Sequence, residues 1–403
     1  MFAICFFIIF EAKTKSNIKN KRFSLSNKSL NPYPINPNRD IPWNDLPLLP
    51  INESLYRTIE IIEQLGEAKS ALARLYGRSV TIPNQGMLIN TISLQEAKAS
   101  SEIENILTTD DELYEAYSQN NLEESTGAPK EVLHYREALW KGFEYMKNKD
   151  KFDTEYLISI VQEIKQTGDG IRPSHARIYI KQGGSGPNSG KAVYTPPRGE
   201  GIVEKKLADL LEYINNDERD NTDPLLKMAI SHFQFEAIHP FRDGNGRAGR
   251  IFNIHYLIHK GLLDYPILFL SKYIIEHKEE YYSGLLGVTQ RGDWKTWIMY
   301  MLKAIEVTSN ITFNKINNIL SCKEDIRQAI VQQTDIKRPE QIIQILFTQP
   351  FSRVKHFTEA GIYAENTARN YLNRLCEIGV LEKKAIKGHH YYLNIDLYNL
   401  LSE

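Results

Sequence analysis

Apolar residues at helical spacing predict two buried helices on either side of a polar dozen at residues 239–250. The first helix is indicated by Leu225, Met228, Ala229, Ile230, Phe233 and Ile238. The second is indicated by Ile251, Phe252, Ile254, Tyr256, Leu257 and Ile258, before a stop at Gly261. Because Pro240 disfavours the α conformation at His239, the first helix should end there. The pattern predicts a helix–loop–helix corner.

Further helical patterns cover most of the chain. One begins near Glu53 and runs through Ile59, Ile62 and Leu65, and the next holds Leu88, Ile89, Ile92 and Leu94. A connector over 108–150 carries Val132, Tyr135, Ala138, Leu139 and Phe143, and a helix from Thr154 carries Leu157, Ile160, Val161 and Ile164 to Gly168. Tyr281, Tyr282, Trp294 and Trp297 share later helices with Leu285, Leu286, Ile298 and Leu302, and 303–335 predicts a long helix. The predicted fold class is mainly α, with the proline-rich residues 31–50 extended on the surface.

Two stretches depart from the helical pattern. Ile178 and Ile180 alternate with polar neighbours, and after a glycine-rich tip Val193 and Tyr194 resume the alternation, which predicts a β-hairpin. Residues 337–403 predict three helices followed by a two-stranded wing, an order that resembles a winged helix-turn-helix.

The third of these C-terminal helices and the wing carry polar and basic side chains that can contact phosphates: Thr367, Arg369, Asn370, Arg374, Lys383, Lys384 and Lys387. Nine Lys and Arg face seven Asp and Glu over 337–403, which is only mildly basic for a DNA-binding domain. DNA binding and a role in protein docking or dimerisation therefore both stay open.

Composition and the N-terminal sequence limit the expected partners and cellular location. The 403 residues are 42% hydrophobic and 25% charged with a formal net charge of −1, so no global charge draws the protein to nucleic acid or membrane. Cys5, Cys322 and Cys376 form no disulfide framework or metal pattern, and we expect a cytoplasmic location. The apolar run MFAICFFIIF is shorter than the roughly 20 residues of a membrane span and lacks signal-peptide features. We expect a start assigned too far upstream or a targeting segment, with no export, and a disordered lead-in over 11–30.

The polar dozen, HPFRDGNGRAGR, concentrates the chemistry. The glycine-rich helix start at 244–246 favours anions, because unpaired N–H groups and the helix dipole point at the ligand. Asp243 offers the hard oxygen that Mg²⁺ prefers, and Arg247 and Arg250 share a helix face with guanidinium groups suited to phosphate. His239 can accept a proton from a hydroxyl at neutral pH. The residues predict Mg-nucleotide binding and transfer of a phosphorus-centred group.

The dozen resembles, without a departure, the H-P-F-x-[D/E]-G-N-G-R-x-x-R signature of Fic-domain proteins of the Fic/Doc superfamily. The resemblance implies a helical core that transfers AMP from ATP, with Mg²⁺, to a Ser, Thr or Tyr hydroxyl of a target protein. It implies the following roles: His239 as base, Asp243 as Mg²⁺ ligand, Phe241 as anchor of the loop, Gly244, Asn245 and Gly246 as anion hole, Arg247 as phosphate ligand and Arg250 as γ-phosphate ligand. Auto-AMPylation and a homodimer are further expected partnerships.

The same resemblance extends to two flanking features. The hairpin is similar to the Fic flap, whose edge pairs with an extended segment of the target, so Ile178, Ile180, Val193 and Tyr194 are candidate docking residues. The stretch Y-Y…G-D-W-x-x-W resembles the segment that follows Fic motifs, which makes Tyr281 or Tyr282 a candidate wall of the adenine pocket.

A regulatory motif precedes the polar dozen. Ser100 and Glu104 are four residues apart and should share a helix face, which by itself is typical of an exposed polar surface. Together with Asn105, however, they resemble the [S/T]-x-x-x-E-[G/N] inhibitory motif of Fic proteins, in the subclass that carries it N-terminally. The resemblance implies that Glu104 pairs with Arg250 and so competes with the γ-phosphate of ATP.

Three alternatives to autoinhibited AMP transfer stay open. Glu104 can orient a water that removes AMP from a modified protein. Fic proteins that use other nucleotides or transfer other phosphorus groups usually depart from the motif, and this sequence does not. The chain can also be a winged-helix DNA-binding regulator whose Fic core senses nucleotide.

The expected domain organisation follows from these assignments. We expect a disordered or mis-assigned start over 1–30, a helical region with the inhibitory helix over 31–125 and a Fic catalytic domain over 126–310. A helical linker over 311–336 then leads to a winged helix over 337–403.

Overall fold

The computed structural model describes residues 33–80, 82, 85–118, 126–181, 189–218, 220–386 and 389–402. The predictions for 1–30, for the glycine-rich hairpin tip and for Lys387 lie outside these residues. Across the described ranges, none of the helices combines the length and apolar character of a membrane span.

Helices dominate the described chain. Up to residue 215 the elements are α1 (Ile59–Val80), α2 (Gln85–Ile103), α3 (Asp110–Ser118), α4 (Gly127–Lys149), α5 (Thr154–Lys165), β1 (Ile180–Lys181), β2 (Ala192–Tyr194) and α6 (Ile202–Asn215). The central helices are α7 (Pro224–Ile238), α8 (Asn245–His259), α9 (Leu270–Glu276), α10 (Lys278–Arg291) and α11 (Trp294–Gln333). The C-terminal elements are α12 (Pro339–Leu346), β3 (Phe351–Ser352), α13 (Val354–Glu359), α14 (Glu365–Glu377), β4 (Leu381–Ile386), β5 (His389–Asn394) and α15 (Ile395–Ser402). The prediction of a mainly α fold is confirmed.

The central helix pair α7–α8 forms as its residues predict. Asp223 caps α7 by accepting a hydrogen bond from the Leu225 backbone N–H at 2.9 Å, and Pro224 fills the first turn, where its missing N–H costs nothing. The helix ends at His239, which adopts the left-handed conformation with φ 51°. Gly244, with φ 83°, precedes the first turn of α8. The predicted helix–loop–helix corner is therefore present with the expected boundaries.

Helix α1 starts later than the sequence predicts, and two of the apolar positions of the predicted pattern are exposed. A short 3-10 helix occupies Glu53–Leu55, and α1 begins only at Ile59, which is 74% exposed; Ile62 is 54% exposed. The buried positions are Ile61, Ala68, Ala71, Leu72 and Leu75. Both sets of positions satisfy a 3.6-residue repeat, so local spacing cannot select the face that meets the partner helix.

That partner is α11. The predicted helix over 303–335 is the larger part of this 40-residue helix, which starts at Trp294. Lys295 donates to Glu60 at 2.7 Å and Arg78 donates to Asn317 at 2.7 Å, so α1 and α11 run parallel. The segment before α1 is irregular, as predicted, but its apolar side chains belong to the core: Tyr33, Trp43, Leu46 and Leu49.

The two small sheets match the predicted β regions. In the hairpin, β1 pairs with β2 antiparallel through Ile180 with Tyr194 and Lys181 with Ala192, and Ile178 lies just before β1. In the C-terminal part, β3, β5 and β4 form one antiparallel sheet in that order. The three helices and the β4–β5 wing follow the predicted winged-helix order, whereas β3 and α15 were not predicted.

Truncations on α1 test its buried face. Leu72→Ala should lower the free energy of unfolding by about 2–5 kcal/mol, because Leu72 is 2% exposed and its loss leaves a cavity. Ile62→Ala should change it by less than about 0.5 kcal/mol, because this side chain is mostly in solvent. Urea denaturation followed by circular dichroism measures both, and equal losses would contradict the assigned face.

Candidate active site

The loop between α7 and α8 is closed by one buried asparagine. The Asn245 Oδ1 accepts a hydrogen bond from the Phe241 N–H, and the Asn245 Nδ2 donates to the Phe241 carbonyl, both at 2.9 Å. Phe241 itself is 1% exposed and packs in the core, as expected of an anchor. The Asn245 side chain thus holds the loop shape, and only its backbone N–H is left to face an anion.

The start of α8 is a cradle whose centre, Gly246, lies against two charged side chains. The first N–H groups of a helix have no partner inside the helix, and the dipole places positive charge there. A Cβ at residue 246 would overlap Glu104 Oε1 and would stand 3.0 Å from Arg250 Nη1. The Glu104 carboxylate therefore lies directly against the cradle that the sequence predicts for phosphate.

The side chain of Arg250 joins α8 to the end of α2. It is 1% exposed, its Nε donates to Ser100 Oγ at 2.8 Å, and its Nη2 donates to the Ser100 carbonyl at 2.8 Å. The Nη2 also donates to Glu104 Oε1 at 2.9 Å. Ser100, Glu104 and Arg250 therefore meet in one set of contacts.

Both members of the Arg250–Glu104 pair are charged. Burial would raise the pKa of Glu104, but the guanidinium charge and hydrogen bond of Arg250 outweigh it, and the pKa is lowered. Burial would likewise lower the pKa of Arg250, but Glu104 outweighs it, and the pKa is raised. The Glu104 side chain is 36% exposed against 1% for Arg250, so the carboxylate is the partner that can leave for solvent.

Glu104 does not lie on the regular helix face predicted for it. The helix α2 ends at Ile103, and Asn105 adopts the left-handed conformation with φ 63°. The Ile106 N–H donates back to the Ser101 carbonyl at 3.1 Å, which closes the helix end. Glycine and asparagine are the residues that most readily take this conformation, which explains the motif's [G/N] position physically.

The imidazole of His239 is neutral at physiological pH. Burial, with the positive charge of Arg172 second, lowers the pKa of His239 to about 4. The backbone carbonyl of Glu236 opposes this effect by raising the pKa, but burial and Arg172 outweigh it. A neutral imidazole has one ring nitrogen that can accept a proton. A neutral, oriented imidazole is the form that general-base catalysis requires.

Asp243 is the carboxylate of the loop. Burial would raise its pKa, but the hydrogen bond and charge of Lys165 outweigh it, so the pKa is lowered and the carboxylate is ionised. The Lys165 Nζ lies 2.6 Å from Asp243 Oδ2, and the Asp243 side chain is 66% exposed. Within the described ranges no group of three or more His, Cys, Asp or Glu residues can hold a metal ion. One exposed carboxylate fits Mg²⁺ only where phosphates and water complete the shell, and Lys165 must then yield.

The guanidinium of Arg247, beside the cradle, has an N–H group that makes no hydrogen bond to the described part of the protein. Arg247 is 2% exposed, and its Nη1 donates to Glu131 Oε2 at 3.3 Å. The group without a hydrogen bond is its Nε, which is buried. A buried, unpaired guanidinium N–H at a helix start is suited to an anionic ligand.

The aromatic and flap candidates occupy different environments. Tyr281 is 2% exposed and its hydroxyl lies 2.8 Å from His232 Nε2, whereas Tyr282 is 38% exposed. In the hairpin, Ile180 is half-buried, and the Tyr194 hydroxyl donates to the Ala237 carbonyl at 2.7 Å. Tyr194 therefore fixes the hairpin to the end of α7.

Sequence reasoning missed several polar residues around the site. Arg172 contacts the loop backbone, Lys165 pairs with Asp243, and Glu96 accepts hydrogen bonds from the Ser271 N–H at 2.8 Å and from Ser271 Oγ at 2.5 Å. Each resembles an ordinary surface charge in the sequence, because its partner is distant along the chain. Arg172 lies in the stretch I-R-P before the hairpin, where a charged residue between two apolar elements was the only available signal.

Comparison with known proteins agrees with this geometry. The Fic/DOC family model matches residues 151–257, the Fic/DOC N-terminal model matches 62–144, and the model of the protein adenylyltransferase SoFic-like C-terminal domain matches 322–397. A Fic family protein from Desulfovibrio desulfuricans shares the fold, with a TM-score of 0.53 at 20% identity over 86% of this chain and 98% of that chain. We therefore identify the chain as a Fic/Doc-domain protein.

Two curated relatives carry a functional name, but each match covers only part of both proteins. The protein adenylyltransferase fic-1 of Caenorhabditis elegans is 30% identical over 165 residues, which is 40% of this chain and 29% of that protein. The protein adenylyltransferase Fic of Drosophila willistoni is 25% identical over 210 residues, which is 50% of this chain and 39% of that protein. The chain thus spans well under half the length of these relatives.

Removal of the Asn245 amide tests the loop closure. Asn245→Ala should lower the free energy of unfolding by about 2 kcal/mol or more, because it leaves the Phe241 N–H and carbonyl buried without partners. Thermal denaturation measures the loss. Asp243→Asn serves as the control within the same loop, since its side chain is 66% exposed and it should cost less than about 0.5 kcal/mol. An unchanged melting temperature for Asn245→Ala would contradict the role assigned to the amide.

Proposed function

We propose that the protein is an adenylyltransferase that moves AMP from ATP to a hydroxyl side chain of a target protein and is autoinhibited by Glu104. The observation that carries the proposal is the placement of Glu104 on Arg250, against the helix start that follows a neutral His239. The groups proposed to bind phosphate, to act as base and to inhibit the enzyme therefore lie together at one loop. The names of the relatives support the same reaction class.

In the proposed reaction the hydroxyl oxygen of the target attacks the α-phosphorus of ATP. His239 accepts the hydroxyl proton on the unprotonated nitrogen of its neutral imidazole, and the bond from the α-phosphorus to the bridging oxygen breaks as pyrophosphate leaves. The N–H groups of the α8 start, with Arg247 and Arg250, hold the phosphates and stabilise developing charge. Bound Mg²⁺, held by Asp243 together with phosphate oxygens, would neutralise part of the phosphate charge.

The inhibition follows from competition for one guanidinium. Arg250 donates to Glu104, and a γ-phosphate needs the same donors, so ATP must displace the carboxylate or bind with its α-phosphate misplaced. Coupling between two ligands of one site typically amounts to about 1–3 kcal/mol, or roughly 5–150-fold. Because Glu104 is partly exposed, displacement moves it toward solvent and does not bury a second charge.

The remaining assignments complete the proposal. The segments are 31–125 with the inhibitory helix, the Fic domain over 126–310, the linker over 311–336 and the winged helix over 337–403. The edge of the hairpin would pair with an extended segment of the target, and other copies of the chain would be substrates in auto-AMPylation. ATP as co-substrate and the isolated cysteines support a cytoplasmic location.

For the winged helix we propose protein docking rather than DNA binding. On α14, Arg369 pairs with Glu365 at 2.6 Å and Arg374 pairs with Glu377 at 2.6 Å. Each arginine that the sequence offers for phosphate contact is thus neutralised by a carboxylate of its own helix. Such a face has little electrostatic attraction for a phosphate backbone.

Labelled ATP distinguishes the candidate functions. Wild type, Glu104→Gly and His239→Ala are incubated with Mg²⁺ and ATP labelled at either the α- or the γ-phosphate, and label on protein is measured by gel and intact mass. We expect α-label only, higher in Glu104→Gly by roughly 5–150-fold and absent in His239→Ala. Glu102→Gly is the matched control, since it removes a glutamate of the same helix end that makes none of the Arg250 contacts.

Each other outcome points elsewhere. Label from the γ position would indicate a phosphotransferase. Release of AMP from a modified protein that requires Glu104, with no forward transfer, would indicate the reverse reaction. Equal label in wild type and Glu104→Gly would contradict autoinhibition while leaving the transfer itself in place.

A further inference from the structure

We propose that Arg172 is the positioning residue for His239 and that it fixes the hairpin base and the catalytic loop to one another. This inference rests on the proposed function. Arg172 lies in the segment between α5 and β1 and is 1% exposed. Neither the sequence motif nor the family comparison assigns it a role.

The contacts of Arg172 surround the histidine on the backbone side. Its Nε donates to the His239 carbonyl at 2.7 Å, and its Nη2 donates to the Ile238 carbonyl at 3.2 Å. Its backbone N–H donates to the Pro240 carbonyl at 2.9 Å. One residue therefore holds three consecutive carbonyls, those of His239 and of both its neighbours.

The conformation of His239 explains why such a contact is needed. The residue adopts φ 51° and ψ 60°, a region that residues with a side chain rarely occupy. The carbonyls at this end of α7 are those that helix geometry leaves without partners, and a guanidinium also suits the negative end of the helix dipole. Because the direction of the imidazole follows from this backbone conformation, Arg172 controls where the proton-accepting nitrogen points.

The same guanidinium reaches the far side of the hairpin. Its Nη2 also donates to the Pro197 carbonyl at 2.6 Å, three residues beyond β2. The hairpin base and the histidine are thus tied to one rigid group. In a reaction whose acceptor is held by the hairpin and whose base is His239, this tie sets the distance between acceptor oxygen and base, where small misplacements are costly.

A kinetic comparison separates positioning from general stability. In the Glu104→Gly background, Arg172→Lys keeps the charge but cannot reach all three groups with one ammonium. We expect kcat for AMP transfer to fall on the order of 10- to 100-fold, with KM and Kd for ATP within about threefold of the parent. Arg136→Lys is the matched control, since Arg136 is also buried but bonds Asn90, Tyr117 and Glu137 away from the loop.

The possible outcomes distinguish a failure of the positioning role from a failure of the proposed function. If Arg172→Lys retains the parent's kcat, or loses no more than Arg136→Lys, the positioning role is overturned while the proposed function stands. The role is also overturned if ATP affinity falls as much as kcat. A Glu104→Gly parent that transfers no label overturns the proposed function and, with it, the positioning of a base.

A second inference comes from α3, the helix that follows the inhibitory turn. We infer that the C-terminal part of the chain holds the Glu104 turn in its inhibitory position through α3, which again rests on the proposed function. Tyr114 on α3 is fully buried, stacks on Phe351 with ring centroids 6.3 Å apart and meets the Tyr398 ring at 6.0 Å. His356 Nε2 lies 3.0 Å from the Ser118 carbonyl at the end of α3.

The inner side of α3 is fixed to α2 in turn. Gln95 Nε2 donates to the Tyr114 hydroxyl at 2.5 Å, and Lys98 pairs with Asp110 at 2.7 Å. The turn that carries Glu104 is the short link between α2 and α3. Side chains from the C-terminal part of the chain that pack on α3 therefore limit how far this turn can move.

Loss of the Tyr398 ring tests the inference. Tyr398→Ala should raise α-label incorporation in the full-length wild-type chain severalfold, within the roughly 5–150-fold range of site coupling, with Glu104 intact. In the Glu104→Gly background the same change should have no further effect. Tyr371→Ala is the control, since Tyr371 is also half-buried in the C-terminal part but packs on Tyr363 at 5.3 Å.

Three results would overturn the inference. One is an unchanged wild-type level in Tyr398→Ala where Glu104→Gly is activated. Another is equal activation by Tyr398→Ala in both backgrounds, which would bypass Glu104. The third is the absence of activation by Glu104→Gly itself, which would remove the autoinhibition on which the inference depends.

Discussion

The buried guanidinium of Arg250 is the constraint on which the site depends. A charge that is 1% exposed needs an anionic or strongly accepting partner, since leaving a buried charge unpaired costs about 3–5 kcal/mol. Glu104 meets this need in the protein alone, and a phosphate would meet it in a nucleotide complex. Under the proposed function one guanidinium edge serves both, so the charge compensation that stabilises the site without ligand would also oppose ATP binding.

Two kinds of contact hold α2 and the Glu104 turn, and they differ in how easily they break. Ser100 is fully buried and accepts through both its hydroxyl and its carbonyl, while Glu96 caps the start of α9 at Ser271. Burial raises the pKa of Glu96 to about 7 despite these donors, which shows how far this anchor lies from solvent. Glu104, by contrast, stands in a turn beyond the last residue of α2. Its release would therefore involve that turn and not the body of the helix.

Local chemistry in the sequence predicted the loop and missed what distant segments add to it. The stop at His239 and the start near Gly244 follow from proline, glycine and apolar spacing within twenty residues, whereas the buried Phe241 was implied only by the resemblance to Fic proteins. The buried face of α1 could not be predicted, because Ile62 and Leu72 belong to equally good helical repeats and only α11 decides between them. Arg172 and Glu96 read as ordinary charges, since a buried polar residue is recognised by partners far along the chain. The turn at Asn105 was visible as a [G/N] preference, but its geometry was not.

The two buried arginines of the site, Arg172 and Arg250, have different kinds of partner. Arg172 is surrounded by backbone carbonyls, which cannot leave, so it fixes the strained His239 permanently; such a left-handed residue costs on the order of 1–3 kcal/mol. Its charge also helps keep the imidazole neutral. Arg250 faces a carboxylate at the end of a helix, which can leave, so its partner is exchangeable. Under the proposed function the base needs a fixed position and the phosphate contact needs an exchangeable partner. Arginine serves both needs, and the difference lies in whether its partner is backbone or side chain.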